Sequence, residues 1–349
     1  SGGASSAGGA GGASSAGGAS SSSAAAGSSG GNSATTSAGG AVGGSSSGGV
    51  GGGGASGGAS GPRTDAAGKP LAKPGDSATQ TRQYLNLGDM RLLNNRWGSD
   101  ALNCSGTNQK VVVNMDGTFG WEFDRPTCGG KRAYPDYPEL EFGVAPFGAN
   151  SPDLTSPAHS STDLLPIQIK NLKSATLTID SFNSTYQKAT YYDTNFEFWI
   201  SKENPLTSQN PGVYAEVIAF LGWNANRMAA TTDGGWPCDK SGSVTAGDRT
   251  YRLCHQSDTW SNSRWRFFNF NLEPGGPTDN FSGKVDIKAM LDWVMKNYAN
   301  SSLGNFSDTM WLTRIEVGTE VDDDTRGVAK IKNVIFEING STRMPEIAK

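Results

Sequence analysis

Tyr214-Ala-Glu216-Val-Ile-Ala-Phe-Leu-Gly-Trp223 and Arg314-Ile-Glu316-Val-Gly-Thr-Glu320 each set glutamates among aromatic and aliphatic residues. Both read as β-strands, whose side chains alternate between two faces. Tyr214, Glu216, Ile218 and Phe220 therefore share one face, and Glu316, Gly318 and Glu320 share another. An acid in an apolar strand is costly unless it lines a wet cleft or has a partner. Two such strands point to facing carboxylates. Glycoside hydrolysis uses such a pair, one acid as nucleophile and one as proton donor. The alternative is a solvated strand face carrying ordinary surface acids.

The same alternation recurs outward from these strands. Short segments near 90–97, 110–115, 118–123, 139–144, 166–170, 174–181, 191–200, 249–254, 263–272 and 328–338 have strand character. Turn residues such as Asp116-Gly117 and Pro274-Gly275-Gly276 separate them. One stretch differs: Ile287, Leu291, Val294 and Tyr298 recur at helical spacing over 285–298, which predicts a single amphipathic helix docked on the outside of a sheet. Many strands and one helix predict an all-β fold, an antiparallel two-sheet jelly-roll sandwich with a concave cleft.

The 349 residues are not uniform. Residues 1–60 are almost wholly Gly, Ser and Ala, with no charge and no aromatic side chain. Such a segment has nothing to bury and should behave as a flexible coil, spanning roughly 40–45 Å. Residues 61–79 add Pro and charge, so 1–79 reads as a linker, 80–341 as the folded domain and 342–349 as a tail. The start at Ser1, without an apolar leader, is expected of a trimmed chain.

The net charge of −4 and the lack of a basic stripe argue against a nucleic-acid partner. No apolar run is long enough to span a membrane. Four cysteines allow three pairings. Proximity favours Cys104–Cys128 and Cys238–Cys254, which implies an oxidising, extracellular setting. Their spacing fits no zinc knuckle, and Asp322-Asp-Asp324 fits no EF-hand loop, so no metal or other cofactor is expected.

Glu216 is the candidate nucleophile and Glu320 the candidate acid/base. Glu197, beside Asn195 and Trp199 on its strand, is a supporting carboxylate, and Glu316 has the parity to be a second. Trp97 and Trp223 are candidate sugar platforms, although a tryptophan is more often core.

Several motifs occur in an order that resembles glycoside hydrolase family 12, small endo-β-1,4-glucanases of jelly-roll fold. Asn94-Asn95-Arg96-Trp97-Gly98 is similar to the family's early Asn-Asn-x-Trp-Gly, and Tyr137-Pro138 to its Tyr-Pro strand. Glu216-Val-Ile-Ala-Phe-Leu resembles its nucleophile strand, and Gly318-Thr319-Glu320 its acid/base strand. The resemblance covers about 90–339. It implies retaining hydrolysis of β-1,4-glucans without a metal, with Asn95, Trp97, Tyr137, Trp199 and Trp223 available to bind sugar. Three positions depart from the family pattern: Glu197 stands for its usual Asp, Ile218 for Met and Phe220 for Trp. The expected protein is a secreted, monomeric endoglucanase on an N-terminal tether. The other reading is a non-catalytic carbohydrate-binding module of the same fold.

Overall fold

A computed structural model describes residues 63–96, 98–99, 104, 106–126, 136–147, 161–188, 192–223, 242–258, 265–273, 280–322 and 324–349. Two sheets form a sandwich. The larger runs across, edge to edge, as β11 (Ser243–Ala246), β12 (Arg249–Ser257), β13 (Arg266–Glu273), β10 (Val213–Trp223), β9 (Tyr192–Ser201), β15 (Trp311–Val321), β6 (Glu139–Gly143), β3 (Arg91–Leu93) and β2 (Tyr84–Asn86). A short β7 (Ile167–Gln168) also pairs with β15. The smaller sheet runs as β1 (Ser77–Ala78), β4 (Asn108–Val113), β5 (Phe119–Arg125), β16 (Thr325–Ile338), β8 (Ala175–Lys188) and β14 (Asn280–Asp286). A final β17 (Ser341–Arg343) folds back on β16.

The all-β sandwich follows from the alternation in the sequence. Phe196, Phe198 and Ile200 on β9, Val217, Ala219 and Leu221 on β10, and Ile315 and Val317 on β15 all point inward. They meet Trp121 and Phe123 of β5 and Ile331, Val334 and Phe336 of β16. Each fully buried Val, Leu, Ile or Phe side chain among them is worth about 1.5–3 kcal/mol. Phe142 stacks on Phe336 with ring centres 4.6 Å apart, and the Trp121 indole donates to Thr319 Oγ1 at 3.1 Å, so both contacts bridge the sheets.

Four features differ from expectation. The larger sheet is not wholly antiparallel, because β10 and β13 pair in parallel. The chain must therefore cross over between them, which alternation alone does not reveal. The helix α1 (Ile287–Asn297) starts two residues later than predicted, where the Asp286 side chain caps it by accepting from the Ala289 N–H at 2.8 Å. Its buried Ile287, Met290, Leu291 and Val294 belong to the common core. It packs on β11 of one sheet and β8 of the other, not on the outside of one.

Linker and tail also reach further into the fold. Within 63–79, Thr64 bridges to Pro70 and β1 pairs with β4. The tail then binds this segment, as the Ala348 N–H donates to the Ala72 carbonyl and the Glu346 N–H to that of Leu87. Finally, β8 runs seven residues beyond its expected end at 181. Apolar alternation breaks there and at Lys332-Asn333 of β16, where Asn333 takes φ +48° and donates to Asp180 Oδ2 at 2.9 Å. Both strands change phase together, so the ladder survives a break in the pattern.

Candidate active site

The face of the larger sheet turned away from the core is acidic, and strand register places its residues. One row across the sheet reads Ile218, Glu197, Glu316, Glu141 and Arg91. The next reads Phe220, Asn195, Gly318 and Glu139. On the other side lie Glu216, Trp199 and Arg314. Further along, Glu320 stands opposite Asp193, which pairs in turn with Trp223. Glu216, Ile218 and Phe220 share this face as predicted. Tyr214 does not: a register shift between Val213 and Ala215 turns its ring into the main core against Phe306.

Exposure divides the acids into two kinds. Glu216 and Glu320 are part-exposed. Glu139, Glu141, Glu197 and Glu316 lie in the floor at 1%, 0%, 6% and 0% exposure. Only Glu216 and Glu320 can meet a ligand without rearrangement.

The Glu216 carboxylate accepts from the Trp265 indole N–H at 2.8 Å. Trp265 forms an aromatic group with Trp199 and Phe147, ring centres 5.2–6.0 Å apart. Burial pushes the Glu216 carboxyl up to about 8, with the charges of Glu320 and Glu316 adding to the shift and the Trp265 N–H opposing it.

Beside Glu320, the Tyr137 ring packs against Gly318, where an added Cβ would fall 2.3 Å from Tyr137 Cε2. Tyr137 Oη donates to Asn195 Oδ1 at 2.6 Å, and Asn195 Nδ2 donates to Asp193 Oδ1 at 2.7 Å. Tyr137 thus fills the space that Gly318, lacking a side chain, opens on this face.

The floor is an ionic lattice. Arg91 pairs with Glu141 at 2.7 Å, Arg314 pairs with Glu141 at 3.1 Å, and Arg314 also pairs with Glu316. Trp199 Nε1 donates to Glu316 Oε2 at 2.8 Å and to Glu197 Oε1 at 3.2 Å. Asn95 Nδ2 donates to Glu139 Oε1 at 3.1 Å. Burial, then the charge of Glu316, pushes Glu197 and Glu139 well above the usual carboxylate range. Burial opposes ionisation of Glu316 too, but Arg314 and hydrogen bonds from Glu197, Glu139 and Trp199 outweigh it and hold Glu316 below that range. Oxygens of Glu139, Glu197 and Glu316 lie within 4.8 Å of one another, near enough to share a cation. An ion there would compete with the Arg314 guanidinium and the Trp199 N–H already on Glu316.

The structure brings Glu197, Glu216, Glu316 and Glu320 to one face, with Asn95 and Tyr137 at its edge. Trp199 is 6% exposed, and its indole N–H serves the floor acids, so it is no open platform. Trp223, also 6% exposed, packs with Ile218, Phe220 and Phe267. Trp97 lies outside the described residues, as do Cys128 and Cys238. Cys104 and Cys254 are described, and neither is a free thiol.

Trp265, Glu139, Glu141, Arg314 and Asp193 escaped the sequence reading. Parity could have found two of them. Glu139 and Glu141 alternate with Leu140 and Phe142, the same signal that singled out Glu216. Trp265 reaches Glu216 through the parallel pairing of β13 with β10, which no local pattern records.

No protein-family model matches the sequence, and no curated protein is similar to it. Solved structures are similar in fold. A family 12 xyloglucanase from Bacillus licheniformis superposes with a TM-score of 0.57 at 17% identity, covering 76% of this chain and all of its own. An endoglucanase from Rhodothermus marinus gives 0.51 at 19% identity, over 77% and 99% of the two chains. Endoglucanase 3 of Trichoderma harzianum, from the same family, gives 0.51 at 16% identity, over 76% and 98%. What these chains share with the present one is the jelly-roll sandwich.

Proposed function

We propose that this protein is a retaining endo-β-1,4-glucanase. One observation carries the reading: of the six glutamates gathered on one sheet face, only Glu216 and Glu320 are open to a ligand. Glu216, fixed by the Trp265 N–H, attacks the anomeric carbon and forms a glycosyl-enzyme. Glu320 protonates the departing glycosidic oxygen, then deprotonates the incoming water. Glu197 and Glu316 support Glu216 from below. Asn95 and Tyr137 edge the cleft and bind sugar, and Trp97 is a further sugar-binding residue. The family 12 names of the similar structures support a β-glucan substrate, with plain and xylose-decorated glucans both in range.

The same reading makes the protein extracellular, stapled by Cys104–Cys128 and Cys238–Cys254, monomeric, and held through its Gly/Ser/Ala-rich N-terminal segment. The described part of its folded domain runs from residue 63 to residue 349.

The test measures new reducing ends from carboxymethyl cellulose, mixed-linkage β-glucan, xyloglucan and xylan, beside the Glu216→Gln variant. Release that the variant abolishes supports the mechanism and names the substrate. Binding of these polymers without release would make the face a carbohydrate-binding site and end the catalytic reading.

A further inference from the structure

Seven acids crowd one sheet face, the six glutamates and Asp193, yet its floor holds only two cations among the described residues, Arg91 and Arg314. Both pair with Glu141, and Arg314 also pairs with Glu316. Those two carboxylates already balance the two guanidinium groups. A further buried anion would stand uncompensated, at a cost of several kcal/mol. Among the described residues, Glu139 and Glu197 make no ion pair with a guanidinium.

The hydrogen bonds agree. Glu139 Oε1 accepts from Asn95, while Glu139 Oε2 is buried and no donor N–H or O–H reaches it. A bare carboxylate oxygen there would be left unsatisfied. A protonated one can turn to Glu316, a carboxylate oxygen of which lies within 4.8 Å of a Glu139 oxygen. Glu197 accepts from Trp199 through Oε1, and one of its carboxyl oxygens lies within 4.8 Å of one of Glu316. Among the described residues, the charged or titratable groups near Glu316 are Glu197 on β9, Glu139 and Glu141 on β6, Arg314 and Glu320 on β15, Arg91 on β3, Glu216 on β10 and Tyr137 before β6.

We propose that Glu139, Glu316 and Glu197 form a proton-sharing trio in which Glu316 alone is ionised, while Glu139 and Glu197 are neutral acids donating to it. The inference deepens the catalytic reading and rests on it for its purpose. A neutral Glu197 keeps a second negative charge away from Glu216, which must ionise to attack. Glu139 and Glu197 are then positioning residues that work as hydrogen-bond donors, not as charges. This reverses the usual expectation for a supporting carboxylate, because a glutamine amide can replace each.

Infrared difference spectra at pH 6 test this directly on the full chain. Glu139→Gln and Glu197→Gln should each lose one protonated-carboxyl C=O band, and Glu316→Gln should lose carboxylate intensity. Glu197→Gln should leave the position of the pH profile unmoved, whatever its effect on kcat/KM. Loss of carboxylate intensity in Glu139→Gln or Glu197→Gln would overturn the proposal, as would an acid-shifted profile in Glu197→Gln. If Glu316→Gln does not fold, the two outer variants decide the question alone. The spectra need no turnover, so a failed trio and a failed glucanase reading are told apart.

Discussion

Replacing Glu216 with glutamine should stabilise the protein as it abolishes hydrolysis, and the gain should grow with pH. Burial lifts the Glu216 carboxyl from its ordinary 4.5 to about 8. Below 4.5 both native and unfolded chains hold the proton, and this group makes no difference. Between 4.5 and about 8 the unfolded chain has released the proton and the native chain has not. The native state binds more protons there, so its stability falls as pH rises, by about 1.36 kcal/mol per pH unit. The interval of about 3.5 pH units sets a ceiling near 5 kcal/mol. Part of the side chain meets solvent, which lowers the expected figure to about 2–4 kcal/mol. Glutamine has no proton to lose and escapes this cost. Urea unfolding at pH 5, 7 and 8.5, followed by tryptophan fluorescence, reads the difference if the m-values agree. The stability advantage of Glu216→Gln over wild type should widen by about 2–4 kcal/mol from pH 5 to 8.5. A constant difference, or one that widens toward acid, would show that Glu216 is ionised in the native protein throughout.

Three more outcomes follow from single contacts. Trp265→Phe removes a donor to a charged acceptor, worth about 1.5–3 kcal/mol, so the rising limb of kcat/KM near pH 8 should move about one to two pH units more alkaline; a limb that stays in place would detach Trp265 from Glu216. Gly318→Ala drives a methyl into the Tyr137 ring and should cost about 1–3 kcal/mol in denaturant titration, a cost that should vanish in a Tyr137→Ala background. Asp286→Ala removes the cap of α1 and should cost about 1 kcal/mol without changing the pH profile, measured by the same titration and a rate assay.

Much of this fold is legible because burial on one face writes itself into a strand as alternation. Phe196, Phe198 and Ile200 beside Asn195, Glu197 and Trp199 show it plainly, and the helix over Ile287–Asn297 is equally visible. Short edge strands such as β2 and β11 bury too few residues to leave a pattern. At Lys332-Asn333 the phase change scrambles the pattern that is there. The site was legible where an acid broke an apolar run, as at Glu216 and Glu316. Charge balance was not legible. That Arg91 on β3 shares Glu141 on β6 with Arg314 on β15 depends on three strands distant in sequence lying side by side.

The last two long strands of the chain occupy the middle of both sheets. β15 alone joins β6, β3 and β2 to β9, β10, β13, β12 and β11, and β16 alone joins β5, β4 and β1 to β8 and β14. A chain emerging from the ribosome and still lacking residues after 310 holds four separate pieces of sheet, none with its partner. It has no Arg314, Glu316 or Glu320, and hence neither a balanced floor nor a second reactive carboxylate. Contacts this distant in sequence close late and slowly. Folding and completion of the acidic face are thus one event, timed by the synthesis of residues 311–338. A ribosome stalled before that point would release a chain both unfolded and inert.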